Sequence, residues 1–463
     1  MTAVETTPEF DLPPHDRAFL GHPKGLGYLA FVEGCERFSY YSMQTLLVLY
    51  MVKYLLLPEH IGGVFGLDWL RAHHYQGLDG QPLASAIFGD YSSTVYLTPI
   101  LGGLIADRWL GRRITLILGG VIMALGHFLM AIEGAFIFAL LSLIVGVGLF
   151  KGNIASQVGE LYRENDLRRA MAFQIFYIAI NVSVIVAPLI SGTLGEKVGW
   201  HYGFGTAGIV MVAGLLLYLK AGPWLPEGGR PNSASKAAKQ KLTRADAPRL
   251  VALLLLVPVL AVALLTNQEI FNAYLVWADE QFQLTFFGIT LPTSYMITID
   301  AALSFSMLVA VAWFWKWYGT RRQEPDELGK MIIGSVFCVA GGLCLVIAAA
   351  TQGPIASGAK IGLFWPLMFH LLNSIGFANI MPVSLALFSK VAPRAIVATV
   401  IGIYYLAFFS ANKIVGIVGG WYSTMDTTQF WLLHVASAVV GLVAFTLFKL
   451  VLMKHLTSET SPT

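Results

Sequence analysis

Two carboxylates and a guanidinium lie within little more than one helical turn in the stretch FVEGCERFSYY, residues 31–41. Positions 33, 36, 37, 40, 41 and 44 follow i, i+3, i+4 spacing, so Glu33, Glu36, Arg37, Tyr40, Tyr41 and Gln44 share one helix face. An unbroken apolar run, Leu46 to Val52, follows at once. The segment therefore reads as a membrane helix, in which a central carboxylate costs about 2.5–3.5 kcal/mol. Such groups persist where they pair or face a water-filled cavity. One reading is a fixed ion pair that staples helices together. The other, adopted here, is a titrating cluster that lines a pathway.

The rest of the chain must position that cluster in a bilayer. Of 463 residues, 56% are hydrophobic and only 12% charged, the balance of a polytopic membrane protein. A net charge of +3 gives no argument for nucleic acid. Cys35, Cys338 and Cys344 have neither metal-ligand spacing nor a disulfide framework, and no metal site is expected. Apolar runs near the ~20 residues of a spanning helix predict about twelve spans. They fall near 27–56, 84–106, 113–132, 135–162, 169–195, 200–222, 248–283, 292–318, 328–351, 360–390, 394–420 and 428–454. Met1 to Arg17 has no apolar signal-peptide core, so the first helix is expected to act as its own insertion signal.

Arginine and lysine recur in alternate loops: Arg108, Arg112 and Arg113; Arg163, Arg168 and Arg169; Lys236 to Arg249; Lys316, Arg321 and Arg322; Lys390 and Arg394. The positive-inside rule places these loops, and both termini, in the cytoplasm. A polar Pro-, Gly-, Ser- and Lys-rich stretch from Gly222 to Asp246 divides the spans six and six, the plan of a two-bundle secondary transporter. The expected organisation is a tail (1–26), a six-helix bundle (27–222), a cytoplasmic linker (223–247), a second six-helix bundle (248–455) and a short tail (456–463).

The loop GGLIADRWLGRR, Gly102 to Arg113, carries a second pattern. Gly102 and Gly103 are read as allowing close helix approach, and Asp107 as holding the N-terminal end of the next helix. With Arg108, Gly111 and Arg112, the segment resembles the loop signature of the major facilitator superfamily. That resemblance implies an all-α membrane fold of twelve transmembrane helices in two six-helix bundles.

Glu33-x-x-Glu36-Arg37-Phe38-Ser39-Tyr40-Tyr41 resembles the first-helix motif of the proton-dependent oligopeptide transporter family. GLFKGNIASQVGELY (148–162) is similar to that family's fourth helix, with Lys151 as its lysine. FYIAINVSVIVAPLISG (176–192) is similar to its fifth, with Asn181 as the pocket asparagine, and SKVAPR (389–394) to the link between its tenth and eleventh. The resemblance assigns Glu33, Glu36, Arg37 and Lys151 to proton coupling and to the peptide C-terminus. The chemistry follows from competition: a substrate carboxylate that takes Arg37 or Lys151 leaves a glutamate without its partner, and a proton then takes the partner's place. Tyr40, Tyr41 and Tyr91 are read as cavity tyrosines, although packing accounts equally well for each alone. Asn181 needs a partner in an apolar span, and Pro188 is read as shaping its helix.

The second half departs from the family. Asn267-Gln268 replaces its seventh-helix Glu-Gln, and Gln44 its first-helix arginine, so the exofacial gate is expected to rest on neutral hydrogen bonds. Phe377 stands where the family has the tenth-helix glutamate that takes the peptide ammonium. Asp300 is the expected replacement, with Glu269 a second candidate and Asn379 and Asn373 as neutral acceptors. A structural pairing of Asp300 with Lys413 is the competing reading. His370 is read as a hydrogen-bonded core histidine, and His73–His74 as solvent-exposed loop residues.

These observations predict a proton-coupled symporter that imports di- and tripeptides by alternating access. It is expected in the cell membrane (the inner membrane if bacterial), to work as a monomer, and to use no cofactor besides the coupling proton. One rival keeps the fold and changes the cargo to a small anion, which the loss of the ammonium glutamate favours. A membrane-embedded enzyme lacks a nucleophile–base set or metal ligands in the sequence. A receptor that binds without transporting is the third alternative; the retained cation and carboxylate pairs favour coupled transport over it.

Overall fold

The structure is a computed structural model that describes residues 16–163, 166–226, 246–352, 359–393 and 396–457. Most of the expected linker, the start of the N-terminal tail, Arg394 and the end of the C-terminal tail lie outside the described residues.

Each expected span corresponds to a helix or a helix stack. The first is Lys24–Tyr50, widened by a turn at Met51–Leu55; the second is Gly80–Ile105, widened at Ala106–Leu110. The third and fourth are Arg112–Leu129 and Phe136–Glu160. The fifth runs Arg168–Ala187 into a wide turn at Pro188–Gly192, then Thr193–Lys197; the sixth is Trp200–Lys220. Pro188 thus reshapes its helix, as read from sequence, because its ring removes a backbone donor. The seventh is broken into Ala247–Ala263, Leu265–Glu269 and Ala273–Gln281, where one continuous helix was expected. The eighth to twelfth are Tyr295–Gly319, Glu327–Ala350, Phe364–Val391, Val397–Gly419 and Thr427–Thr457.

Among the described residues, nine helices are long and apolar enough to cross a bilayer. The first, second and seventh spans are not among them, each for a local reason. The first carries Lys24, Glu33, Glu36 and Arg37. The second is diluted by Ser85, Asp90, Ser92, Ser93 and Thr94. The seventh is interrupted at Ile270–Asn272. The sequence reading also lacked a small hairpin between spans seven and eight, in which Thr285 pairs with Thr290 and Phe286 with Ile289.

Packing separates two bundles. In the first half, span one lies against five and six, two against four, and three against four and six. In the second, span nine lies against ten and twelve, eight against ten, and the start of seven against eleven and twelve. The bundles meet along two seams, span two with eleven and span five with eight. A six-span offset converts one seam into the other, the pattern of two related halves. Small residues allow each approach. A Cβ on Gly89 would lie 2.5 Å from the Gly416 Cα across the first seam, and one on Gly192 would collide with the Ser294 hydroxyl across the second.

The loop between spans two and three corrects two sequence readings. Gly102 packs directly on the Gly148 backbone of span four, whereas a Cβ on Gly103 would meet nothing within 4 Å, so only Gly102 permits close approach. Asp107 does not cap the third span. Its carboxylate lies 3.7 Å from Arg112, which itself bonds Glu160 at the end of span four. Gly111 has φ +78°, a conformation that favours glycine, and Arg108 is exposed. At the same end, Arg168 binds Asp16 at 2.9 Å and Asp166 at 2.8 Å, and these bonds hold the Asp166 carboxyl below its usual range.

Gly102→Val is expected to lower unfolding stability in detergent by about 1–3 kcal/mol through overpacking. Gly103→Ala should stay within about 0.5 kcal/mol of the parent. Equal losses at the two positions, in thermal or denaturant unfolding, would contradict the packing described.

Candidate functional site

The first-span cluster is buried where the bundles meet. Glu33, Glu36 and Arg37 are each at most 5% exposed. The Arg37 Nε bonds Glu36 and lies 3.2 Å from Glu33 Oε1, so one guanidinium serves two carboxylates. Glu33 Oε2, Glu36 Oε1 and Arg37 Nη2 are buried without a hydrogen-bond partner. Polar atoms left in that state cost free energy until something bonds them, which suits a site built to exchange partners.

Lys151 brings the second cation from span four. Its ammonium lies 5.2 Å from the Tyr96 ring centre and 5.9 Å from that of Tyr40, within electrostatic reach of Arg37, Glu36 and Glu33. The Arg37 guanidinium lies 5.1 Å from the Tyr40 ring. These faces favour cations, so Tyr40 and Tyr96 hold both positive groups close together despite their repulsion. Tyr96, absent from the sequence reading, carries the same cavity-facing aromatic signal as Tyr40. The Tyr40 hydroxyl accepts from Gln44 at 2.9 Å, Tyr91 is buried, and Tyr41 stacks edge-on against Tyr40. Asn181 is accessible and donates back to the Tyr177 carbonyl at 2.8 Å, so its amide is anchored on its own helix.

Asp300 sits in the other bundle. Its Oδ1 lies 2.8 Å from His370 Nδ1, and His370 Nε2 lies 2.7 Å from the Tyr274 hydroxyl. The pairing with Lys413 does not form; Lys413 is bonded instead to Asp90 across the seam between spans two and eleven. Helical registry puts these two cross-bundle neighbours at the same depth, on facing small-residue surfaces opened by Gly89 and Gly416. His370 is a hydrogen-bonded core histidine, as read. Glu269 is wholly buried, accepts from the Ala273 amide at 3.2 Å and lies 3.4 Å from His434, a separate cluster at the break in span seven. Asn379 is drawn away from Asp300 because its Oδ1 accepts the Trp315 indole N–H at 2.8 Å and its amide donates to the Ile375 carbonyl. Phe377 packs against the apolar cluster of its own bundle. Tyr41 links the two charged regions: it lies within electrostatic reach of Glu33, Glu36 and Arg37 on one side and of Asp300 on the other.

Bonds between the bundles gather at the end opposite the arginine-rich loops. Lys53 pairs with Asp279 at 2.8 Å. The Glu196 carboxylate accepts the backbone amides of Thr293 and Ser294 at 2.7 and 2.9 Å, where span eight begins. Gln81 donates to the Gly419 carbonyl, and Ser85 to Asn272. The gate expected from Gln44 and Asn267-Gln268 takes another form. Gln44 bonds Tyr40 and Ser92 within its own bundle, while Gln268 bonds Asn267 and Asn412 within the other. Charged groups bridge the bundles instead at Lys53–Asp279, Glu196 and Lys413–Asp90. Acids and bases at span ends read as ordinary loop charges, so spacing alone carries no warning of this gate; the one usable signal was an acid facing a helix N-terminus. His74, read as exposed, does remain largely so but reaches Asp90 at 2.8 Å.

Known proteins share this architecture. Residues 113–246 match the family model PTR2, described as the POT family. The chain is 30% identical to the transporter YclF of Bacillus subtilis (strain 168), over 94% of each protein. It is 27% identical to the peptide transporter YePEPT of Yersinia enterocolitica, over 88% of this chain and 89% of the relative. A crystal structure of a mutant peptide transporter POT in complex with alafosfalin superposes with a TM-score of 0.83 at 24% identity, covering 96% of this chain and 98% of the other.

The Glu196 clasp makes a testable claim. Glu196→Ala removes two charge-assisted bonds, each worth about 1.5–3 kcal/mol, and should raise the population open at this end by about a hundredfold or more. Electron–electron distance measurements between spin labels at the outer ends of spans five and eight should lengthen. An unchanged distance distribution would show that the clasp does not hold this end closed.

Proposed function

The chain belongs to the POT family, and from that premise we propose that it is a symporter importing di- and tripeptides with protons. The single observation that carries the reading is the arrangement of opposite charges about Tyr41. Arg37 and Lys151 offer a carboxylate site on one side, and Asp300 an ammonium site on the other. A zwitterion carries the two charges that these sites take, and the aromatic side chains of Tyr40, Tyr41 and Tyr91 stand between them.

Coupling follows from the shared guanidinium. With substrate absent, Arg37 holds both carboxylates. A substrate carboxylate that bonds Arg37 or Lys151 takes counter-charge from Glu33 and Glu36, and proton uptake restores the balance. Substrate and proton therefore load together, and the linkage is reciprocal. The halves, 27–222 and 248–455, then rock about the site, with Lys53–Asp279 and the Glu196 clasp forming and breaking at the outer end. The arginine-rich loops favour a cytoplasmic location for the opposite end of the molecule and for both termini. Each chain carries a whole site, so the monomer is the working unit in the cell membrane.

A second reading, proton-coupled transport of a small anion, is favoured by Phe377, which occupies the ammonium-binding position of the family with an apolar ring. Asp300→Ala separates the two. Under the peptide reading it weakens binding of a dipeptide at least tenfold and spares the des-amino analogue; under the anion reading it changes neither.

In proteoliposomes with an inward proton gradient, labelled dialanine should accumulate. The double variant Glu33→Gln, Glu36→Gln should lose more than about 90% of gradient-driven accumulation. Gradient-dependent accumulation that survives the double substitution would refute the coupling scheme.

A further inference from the structure

Apart from the charged cluster of the first bundle, a buried titratable chain runs through the second: Tyr274, His370 and Asp300. His370 and Tyr274 are wholly buried, whereas Asp300 keeps about a tenth of its side-chain surface. Asp300 is therefore the one member of the chain with exposed surface. With Asp300 ionised, His370 Nδ1 carries a proton and donates to it. The other ring nitrogen faces a hydroxyl, which can either donate or accept. Neutral imidazole takes the Tyr274 proton in a hydrogen bond; imidazolium donates to the Tyr274 oxygen. Both bonds survive either state, so the imidazole can hold or lose a proton without any rearrangement of the helices, and Asp300, the exposed member bonded to Nδ1, is the way in and out.

The surroundings determine when it stays. Trp277, Phe282, Phe369 and Trp431 pack their rings about Tyr274, and nothing in that aromatic shell balances a positive charge. The titratable groups on neighbouring elements do not supply one either. Span one presents Tyr41. Span nine presents Cys338, against Gly376, and the buried Cys344. Span eleven turns Lys413 toward Asp90, and span twelve turns His434 toward Glu269. Asp300 is therefore the counter-charge on which an imidazolium here depends.

We propose that His370 is a proton site that the amino group of the substrate empties: the ammonium takes Asp300, and the imidazolium, deprived of its carboxylate, releases its proton to the cavity. Charge balances. Imidazolium, carboxylate and substrate ammonium become neutral imidazole, an ammonium–carboxylate pair and one free proton. The effect runs opposite in sign to the proton uptake at Glu33 and Glu36, so amine-bearing cargo binds with fewer net protons than the same cargo without its amine. His370 is a positioning residue that acts on cargo through Asp300. The inference rests on the peptide reading given above and adds to it a pH-dependent selection for the amine.

The test is isothermal titration of the full-length protein at pH 6, in buffers of different ionisation enthalpy, with alanyl-alanine and with propionyl-alanine. The α-amine is protonated at that pH, and the carboxylate end is common to both ligands. Proton uptake per ligand should be lower for alanyl-alanine by up to about one proton. His370→Gln should abolish the difference while alanyl-alanine still binds. Equal proton counts for the two ligands in the unmodified protein would overturn the role of His370 and leave the peptide reading standing. Absence of binding by alanyl-alanine would overturn both. The two-ligand comparison uses the unmodified protein, so it decides the matter even where His370→Gln fails to fold.

Discussion

One guanidinium shared by two buried carboxylates is the constraint on which the rest depends. In a low-dielectric interior, Arg37 can neutralise only one unit of the negative charge that Glu33 and Glu36 carry when both are ionised, and Lys151 stands near enough to balance the remainder. Removing any one of these four without compensation leaves an unpaired buried charge, the costliest defect available to such a protein. The only inexpensive exchange is one charge for another: a proton for a cation, or a substrate carboxylate for a glutamate. A cluster of this kind disfavours every state that leaves one of its charges unpaired.

The scaffold serves that cluster by holding charge where backbone and lipid offer none. Gly34 brings span one against Ser183 of span five, and Gly102 brings span two onto span four, which carries Lys151. Close backbone contact fixes the helices, so the charged side chains have few alternative positions. The aromatic faces of Tyr40 and Tyr96 then confine the cations. Tyr41 extends the same arrangement toward Asp300, where the second bundle repeats the strategy with a different set of atoms, a carboxylate balanced by an imidazole.

Local periodicity made the first half of the site legible. Glu33, Glu36, Arg37 and Tyr40 meet because i, i+3, i+4 spacing puts them on one face, and no tertiary knowledge is needed to see it. The spans were legible for the same reason, since a bilayer demands long apolar runs. What escaped were the pairings of side chains between helices distant in sequence. Asp90 and Lys413 are 323 positions apart, and Trp315 takes Asn379 from 64 positions away. No spacing rule connects such pairs, and several partners of the right charge compete on paper. The broken seventh span was hidden too, because Asn272, with φ −121° and ψ −112°, leaves helical geometry to bond Ser85 and Val415 across tertiary contacts.

The contacts between the bundles divide by polarity. Gln44 and Asn267-Gln268, expected as neutral members of a gate, find partners inside their own bundles, and so add little to the cohesion between bundles. The cohesion is supplied farther out, where Lys53 and Asp279 retain contact with water. A half-solvated ion pair costs little to separate, whereas a buried one would have to be broken in every transport cycle against a large desolvation penalty. Charge at the rim rather than at the site lowers the barrier to opening and leaves the central field to the groups that must read the cargo.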